Sequence, residues 1–379
     1  MFLEVLSNSY WLIDLSIGEI LKRMKIQTED DWIAYLKKKT ENHKKWNRAL
    51  LIGDDGAVIS QKSHKRMVLC SDTLVEGIHF DLNHISWKDL GWKSLAVNLS
   101  DIAAMGATPL GSLLNISTPK KYFGDHLKDF LHGYLKLSSD HKVSLLGGDT
   151  TGSPHSLFIS VTVLGEVSPK KIKTRSMANP GDLICVTGPL GDSHAGLVIQ
   201  SFKNESLSEG EFREAIHLSH RREDIPSLSS VIKKSLLSAH YRPIPRVEEG
   251  IWLGRQSSVT SMMDLSDGLA KDLTRLCHSS EVRAQIDGQQ IPISKALKAF
   301  AQDCKKNPLE LALFGGEDYE LLFTCKEKSF SSLQLRFQKK FKKSLFALGK
   351  ILPSKKQGPL LEWLHLSPNI LAPKPFEHF

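Results

Sequence analysis

The chain has 379 residues, 41% apolar and 24% charged, with 26 glycines and 16 prolines; this excludes wholesale disorder and collagen-like or low-complexity architecture, and the length suits two or three domains. Lys and Arg exceed Asp and Glu by 50 − 42 = +8, a balance that favours anionic partners but reads first as a mildly basic surface. No stretch approaches 18 uninterrupted apolar residues, which argues against a membrane span, and the scattered Cys70, Cys185, Cys277, Cys304 and Cys325, without CxxC spacing, read as free thiols of a cytoplasmic protein.

In chain order, residues 1–30 read as an N-terminal arm running into a helix around Gly18–Met24, with no basic region ahead of the apolar stretch that holds Glu4 and Asp14, and so no signal peptide. The basic segment carrying Lys37, Lys38, Lys39, Lys44 and Lys45 reads as a solvated helical face. Leu50–Ile59 and Met67–Asp72 each read as short strands ending in acidic residues. A helix is predicted from Ser86 to Gly106: Ser86 with Asp89 resembles a capping box, and Leu95, Leu99 and Ile102 recur at helical spacing. Val143–Leu146 and Leu157–Val167 are strands, and Asn179-Pro180-Gly181 is a turn and domain boundary. The second half opens with a strand at Leu183–Thr187, then Gly188–Gly191 and a helix from Asp192. Residues 203–235 read as a variable helical excursion. A strand at Ser258–Met263 runs into Asp264-Leu265-Ser266-Asp267-Gly268 and a helix; another, Tyr319–Cys325, follows Gly315-Gly316; Lys339, Lys340, Lys342 and Lys343 lie on a solvated helix face. Strands alternating with helices predict an α/β (α+β) fold divided into the arm, an N-terminal domain over 31–178 and a C-terminal domain over 179–379.

There is no GxxxxGK[ST] loop, GxGxxG, GxSxG or HExxH, and the His217/His220 pair lacks a third ligand at sensible spacing. What stands out is where the acids fall: Gly53-Asp54-Asp55-Gly56, Ser71-Asp72-Thr73, Asn98-Leu99-Ser100-Asp101, Gly147-Gly148-Asp149-Thr150, Asp264-Leu265-Ser266-Asp267 and Gly315-Gly316-Glu317-Asp318. Any one alone reads as a turn residue or a helix cap. Together they fall beside glycines or at the ends of apolar strands, and strand ends are where α/β sheets bind ligands. Carboxylates gathered there repel unless cations lie between them, and hard divalent ions such as Mg²⁺ bridge carboxylates to substrate phosphates. Asp101 lies in a nearly apolar helix with Ser94 and Asn98 on one side at i, i+4 and i+7. Such a stripe needs a ligand or partner to satisfy it.

The segments GDDGAVI (53–59), SDTLVEGIHF (71–80), NLSDIAAMGATP (98–109), LLGGDTT (145–151), TRS (174–176), VTGPLGDS (186–193), HYRPIPR (240–246), DLSDG (264–268) and GGEDYELLFT (315–324) follow one another in an order that resembles the thiamine-monophosphate kinase family, of the aminoimidazole-ribonucleotide-synthetase-like superfamily. The resemblance implies two α/β domains per chain, a homodimer whose N-terminal halves pair through a β-barrel-like sheet, and ATP with several Mg²⁺ ions in a cleft between the halves. It puts metal ligands at Asp55, Asp72, Asp101, Asp149 and Asp264, with Asp267 serving a further ion and Ser71 and Cys70 at positions that also contact metal. Cys70 is expected to offer only its backbone carbonyl, because sulfur suits Mg²⁺ poorly. Gly148, Asp149, Arg175 and Ser266 align with nucleotide-binding positions, and His79 and Glu317 with substrate contacts. The ending Pro375-Phe376-Glu377-His378-Phe379 puts Phe376 where tyrosine is frequent, a ring suited to a thiazolium cation.

The implied reaction moves the γ-phosphoryl group of ATP in line onto thiamine monophosphate. Asp101 and Asp149 are read as its catalytic residues, Arg175 neutralises phosphate charge, and no histidine acts as a base. The runner-up is another ATP-dependent synthetase of the superfamily, of the selenophosphate or aminoimidazole ribonucleotide type. The first 60 residues contain no cysteine, which weighs against the former. The lysine runs lack interleaved aromatics apart from Phe341, so no nucleic acid is expected as a partner.

Overall fold

The computed structural model describes residues 54–60, 64–201, 228–355, 357–367 and 370; the N-terminal arm, most of the 203–235 excursion and Phe376 lie outside the described residues. The first sheet uses β1 (Ala57–Ser60), β2 (Arg66–Val75), β3 (Thr108–Thr118), β4 (Ser144–Gly152) and β5 (Phe158–Val167). Their order is β1-β2-β5-β3-β4, antiparallel except for the parallel β3–β4 pair. Along β5 every second residue turns inward, with Ile159, Val161 and Val163 buried and Ser160 and Thr162 on the other face.

Two helices cover the inward face. The first, α1 (Trp87–Ala104), starts as its capping box predicts: Ser86 Oγ accepts from the Asp89 amide at 3.1 Å and donates to Asp89 Oδ2 at 2.8 Å. Leu95, Leu99 and Ile102 are fully buried, each contributing about 2 kcal/mol of transfer free energy. The second, α2 (Asp125–Asp140), crosses α1 at two glycines. A Cβ on Gly91 would meet Phe130 O at 1.9 Å, and one on Gly133 would meet Lys88 O at 1.7 Å, so neither tolerates a side chain.

The second sheet has the order β11-β8-β10-β6-β9-β7, from β6 (Asp182–Val186), β7 (Val259–Asp264), β8 (Arg283–Asp287), β9 (Leu321–Lys326), β10 (Phe346–Leu352) and β11 (Leu361–Leu364). Around it lie α3 (Asp192–Ser201), α4 (Ser230–Tyr241), α5 (Val247–Gly254), α6 (Leu269–Ser280), α7 (Lys295–Asp303), α8 (Pro308–Phe314) and α9 (Phe330–Phe341). One apolar cluster includes Leu99 and Val163 beside Val259 and Phe323 of the second sheet, so the sheets share a core. Among the described residues no helix is long and apolar enough to cross a membrane.

The sequence signals gave no element between Ala107 and Lys142, where β3 and α2 lie. In β3, Pro109 and Gly111 resemble a turn, and the structure absorbs them as a register shift. The predicted strand at Val143–Leu146 extends through Gly147, Gly148 and Asp149. Gly148 is required there, since a Cβ would sit 1.8 Å from Leu114 O.

Candidate metal and phosphate site

Four acids from distant parts of the chain meet between the sheets. Asp55 enters from the turn before β1, Asp72 from the inward face of β2, Asp101 from the last turn of α1 and Asp264 from the end of β7. One carboxylate oxygen from each of Asp55, Asp101 and Asp264 lies within 4.8 Å of the others, and Asp72 hydrogen-bonds to Asp101. Ser100 Oγ donates to Asp264 Oδ2 at 2.7 Å, tying α1 to β7.

The stripe on α1 is satisfied mostly by protein. Asn98 Oδ1 accepts from the Asp72 amide at 3.0 Å, and Asn98 Nδ2 donates to Ser94 O at 3.2 Å. The Cys70 thiol donates to Asn98 O at 3.2 Å, and burial pushes its pKa well up, so it stays a thiol. Asn98, held by Ser94 O, therefore ties β2 to α1 and leaves Asp101 to face the site.

Burial, then repulsion from Asp72, Asp264 and Asp55, raises Asp101 well above the usual carboxylate range. Asp264 is raised by burial and then by Asp55, and Asp72 reaches about 6, chiefly through burial. Asp101 also sits at the negative end of α1, whose last turn carries no basic residue. A group so crowded is stable protonated or around a cation, and an all-oxygen set fits a hard divalent ion.

Arg175 reaches in from a short 3₁₀ turn. Its fork grips Asp55, Nε to Oδ2 at 3.2 Å and Nη2 to Oδ1 at 2.6 Å. Its amide donates to Asp54 Oδ1 at 3.2 Å, and Asp54 is pushed to about 7 by burial and then by Asp55. The Arg175 carbonyl accepts from Ser261 Oγ at 3.2 Å and Ser280 Oγ at 2.5 Å, so the turn is anchored on both sides.

These shifts set a pH dependence. A carboxyl whose folded pKa lies above its unfolded value binds its proton more tightly in the fold. Its stabilising contribution is full below the unfolded pKa and is lost as pH rises through the folded one. For Asp72 that window runs from about 4 to about 6. Thermal melts of metal-free protein are expected to show the Asp72→Asn variant gaining on wild type across this range, with added MgCl₂ closing the gap at pH 7.5. A gap independent of pH and Mg²⁺ would contradict this.

On the other side of the site, the loop Gly315–Glu320 clasps the end of β7. Leu265 N donates to Glu320 O at 2.9 Å, Tyr319 N to Leu265 O at 2.9 Å and Glu317 N to Ser266 O at 2.7 Å. The Glu317 carboxylate meets Lys93 Nζ at 2.9 Å and His240 Nδ1 at 3.1 Å. Burial alone would raise its pKa, but Lys93 and His240 hold it well below the usual range. Asp267 pairs with Arg275 and Lys271, and its amide donates to the buried Asp272 at 3.0 Å. His79 Nδ1 accepts from the Val75 amide at 3.0 Å, so in the neutral ring Nε2 carries the hydrogen.

Ser71, Gly148 and Asp149 stand apart from the four acids. The cross-strand row Thr73, Ser160, Asn115, Asp149 places Asp149 three strands from β2, about 14 Å away. Alternation turns Asp149 to the exposed face, with Ser71 and Thr73, whereas Cys70, Asp72 and Leu74 point inward. Ser71 Oγ is bonded on that face to Thr162 Oγ1 at 2.9 Å.

From sequence, Asp54 and His240 stand only inside longer segments with no role of their own, and Lys93 and Arg275 carry no assignment. Lys93 had a signal: it sits on the helix one residue from Ser94 and two from Leu95, in an otherwise apolar run.

Two family models match the chain: AIR synthase related protein, N-terminal domain, over residues 53–167, and the corresponding C-terminal domain over 179–356. A thiamine-monophosphate kinase of Buchnera aphidicola subsp. Acyrthosiphon pisum is 38% identical over 86% of this chain and 92% of its own length. Another, from Escherichia coli K12, is 37% identical over 75% of this chain and 78% of its own. A solved structure described as AaThiL complexed with AMPPCP and TMP is 28% identical and superposes with a TM-score of 0.75, covering 94% of this chain and 99% of that one. Thiamine-monophosphate kinase from Stenotrophomonas maltophilia K279a is 32% identical, with a TM-score of 0.66 over 88% of this chain and 94% of its own.

Proposed function

The chain belongs to the thiamine-monophosphate kinase family, and on that premise we infer that it transfers the γ-phosphoryl group of ATP to thiamine monophosphate, giving thiamine diphosphate and ADP. It is a phosphotransferase with a phosphate group as acceptor. AMPPCP, an ATP analogue, and TMP occupy the similar solved structure. The observation that carries the reading is the convergence of Asp55, Asp101 and Asp264 within 4.8 Å, bordered by the Arg175 fork.

The acceptor is a phosphate oxygen, already anionic near neutral pH, so the chain has no proton to remove. Its task is to bring two polyanions together in line. Asp55, Asp72, Asp101 and Asp264 are the residues we propose to hold Mg²⁺, with Asp149 adding to the set and Asp267 serving a further ion. Bound there, Mg²⁺ supplies charge neutralisation and alignment of the phosphates. Cys70 borders that set and, kept as a thiol, contributes at most its carbonyl; Ser71, on the exposed face with Asp149, is assigned to the metal from that side. Gly148, Arg175 and Ser266 are assigned to the nucleotide. His79, through Nε2–H, orients the acceptor phosphate; Glu317 and Phe376 contact the thiamine moiety.

We further propose a homodimer formed on the exposed face of the first sheet. Support comes from β4, an edge strand exposed along nearly its whole length, and from the exposed Leu113, Leu146 and Phe158. We propose that in this dimer Asp149 of one copy completes the acid set of the other. The same reading keeps the division near residue 179 as the boundary between an N-terminal and a C-terminal domain. Five free, buried cysteines suit the cytoplasm.

Incubation with ATP, Mg²⁺ and thiamine monophosphate is expected to yield thiamine diphosphate, read by thiochrome fluorescence after separation. A chelator is expected to stop it. Absence of the product with metal present would overturn the function. His79→Gln is expected to lower kcat/KM for thiamine monophosphate by about tenfold, the worth of one hydrogen bond to an anion, with the shape of the kcat–pH profile unchanged. Disappearance of one limb of that profile in the variant would instead make His79 a proton carrier.

A further inference from the structure

A second polar knot lies under the loop that carries Glu317. Lys93, on α1, is fully buried, and its ammonium meets Glu317 Oε2 at 2.9 Å. His240, at the end of α4 and 4% exposed, brings Nδ1 to the same oxygen at 3.1 Å. Ser193 Oγ, from α3, stands 3.3 Å from that ring nitrogen. The Glu317 side chain itself is 26% exposed, against 1% for that of Lys93 and 5% for that of His240. The acid is thus at the surface of the site and its two partners are behind it.

Burying a lysine and a histidine costs free energy unless both are paired, and here two separate helices supply donors to one carboxylate, while Ser193 Oγ, from a third, stands as an acceptor beside His240 Nδ1. A carboxylate only accepts, so Nδ1 of His240 carries the hydrogen. Both bonds fall on Oε2, which leaves acceptor capacity on Oε1. With Lys93 as its counter-charge, Glu317 is a fixed acceptor rather than a further metal ligand, unlike the mutually repelling acids across the site. Its backbone is held as well: Glu317 lies at φ +64°, in the left-handed region, with its amide bonded to Ser266 O at 2.7 Å.

We propose that Lys93 and His240 are positioning residues for the thiamine subsite, locking the Glu317 carboxylate in one orientation from behind. The proposal rests on the reading of Glu317 as a substrate contact. Lys93 and His240 act through Glu317 and touch no substrate, so their removal weakens thiamine monophosphate binding and spares phosphoryl transfer.

Steady-state kinetics on the full-length enzyme test this with a double-mutant cycle. Glu317→Gln is expected to raise KM for thiamine monophosphate about tenfold, with kcat and KM for ATP within about threefold of wild type. Lys93→Met is expected to do the same. The double variant Lys93→Met/Glu317→Gln is expected to be no worse than the poorer single one, because Lys93 has no route to substrate except Glu317. His240→Asn, whose amide nitrogen stands near the place of Nδ1, keeps KM near wild type, whereas His240→Leu raises it. An unchanged KM in Glu317→Gln would remove the substrate-contact reading and the proposal with it. A raised KM in Glu317→Gln with no effect of Lys93→Met, or with multiplying effects in the double variant, would overturn the positioning role alone. If Lys93→Met does not fold, the double variant, with both charges gone, is compared directly with Glu317→Gln. If that fails too, His240→Leu with and without Glu317→Gln decides it by the same rule.

Discussion

Replacing Asp101 with asparagine is expected to lower kcat by about a thousandfold or more, the loss typical of removing a principal stabiliser of phosphoryl-transfer charge, while leaving metal-free protein at least as heat-stable as wild type. The two halves of that result belong together. Asp101 is raised by burial and by Asp72, Asp264 and Asp55, so its charge opposes folding when no cation is present. Asparagine keeps the shape and removes the charge. A residue retained for stability would behave in the opposite way, losing melting temperature and keeping turnover. The assay is ADP release dependent on thiamine monophosphate, with a thermal melt in chelator on the same sample. Wild-type turnover by Asp101→Asn would defeat the metal-clamp account.

Asp149→Asn is expected to lower turnover by about a hundredfold or more although the side chain lies on an exposed strand away from the other acids. The proposed dimer accounts for this. If Asp149 of one copy serves the acids of the other, Asp101→Asn and Asp149→Asn damage different chains of each composite site. Mixed and allowed to exchange, the two inactive proteins form heterodimers with one intact site each, restoring about a quarter of wild-type activity by random pairing. A mixture no more active than its components would place Asp149 in the site of its own chain or outside the reaction.

Much of this was legible in the sequence because the signals were local. Ser86 and Asp89 mark the start of α1, and the apolar spacing of Leu95, Leu99 and Ile102 marks its buried face. The acids at strand ends pointed to cations, and Asp55, Asp101 and Asp264 do converge. What the sequence hid depends on pairing. Which face of β4 carries Asp149 follows from the register of three neighbouring strands, none of it written in residues 145–151. Pro109 and Gly111 masked β3 because only its neighbours accommodate the irregularity. The helix around Lys93 shows its neighbourhood but not its partner: its burial goes with Glu317, 224 positions away in the chain. Asp267 is expected from the resemblance to serve a further ion, and its pairing with Arg275, two turns on, is not written in DLSDG.

The most direct test of the clamp is a crystal of the protein grown with AMPPCP and Mn²⁺ and measured at the manganese absorption edge. The account predicts anomalous density in contact with the carboxylates of Asp55, Asp101 and Asp264. Manganese found only at surface acids, with those three carboxylates still gathered around the Arg175 fork, would contradict it.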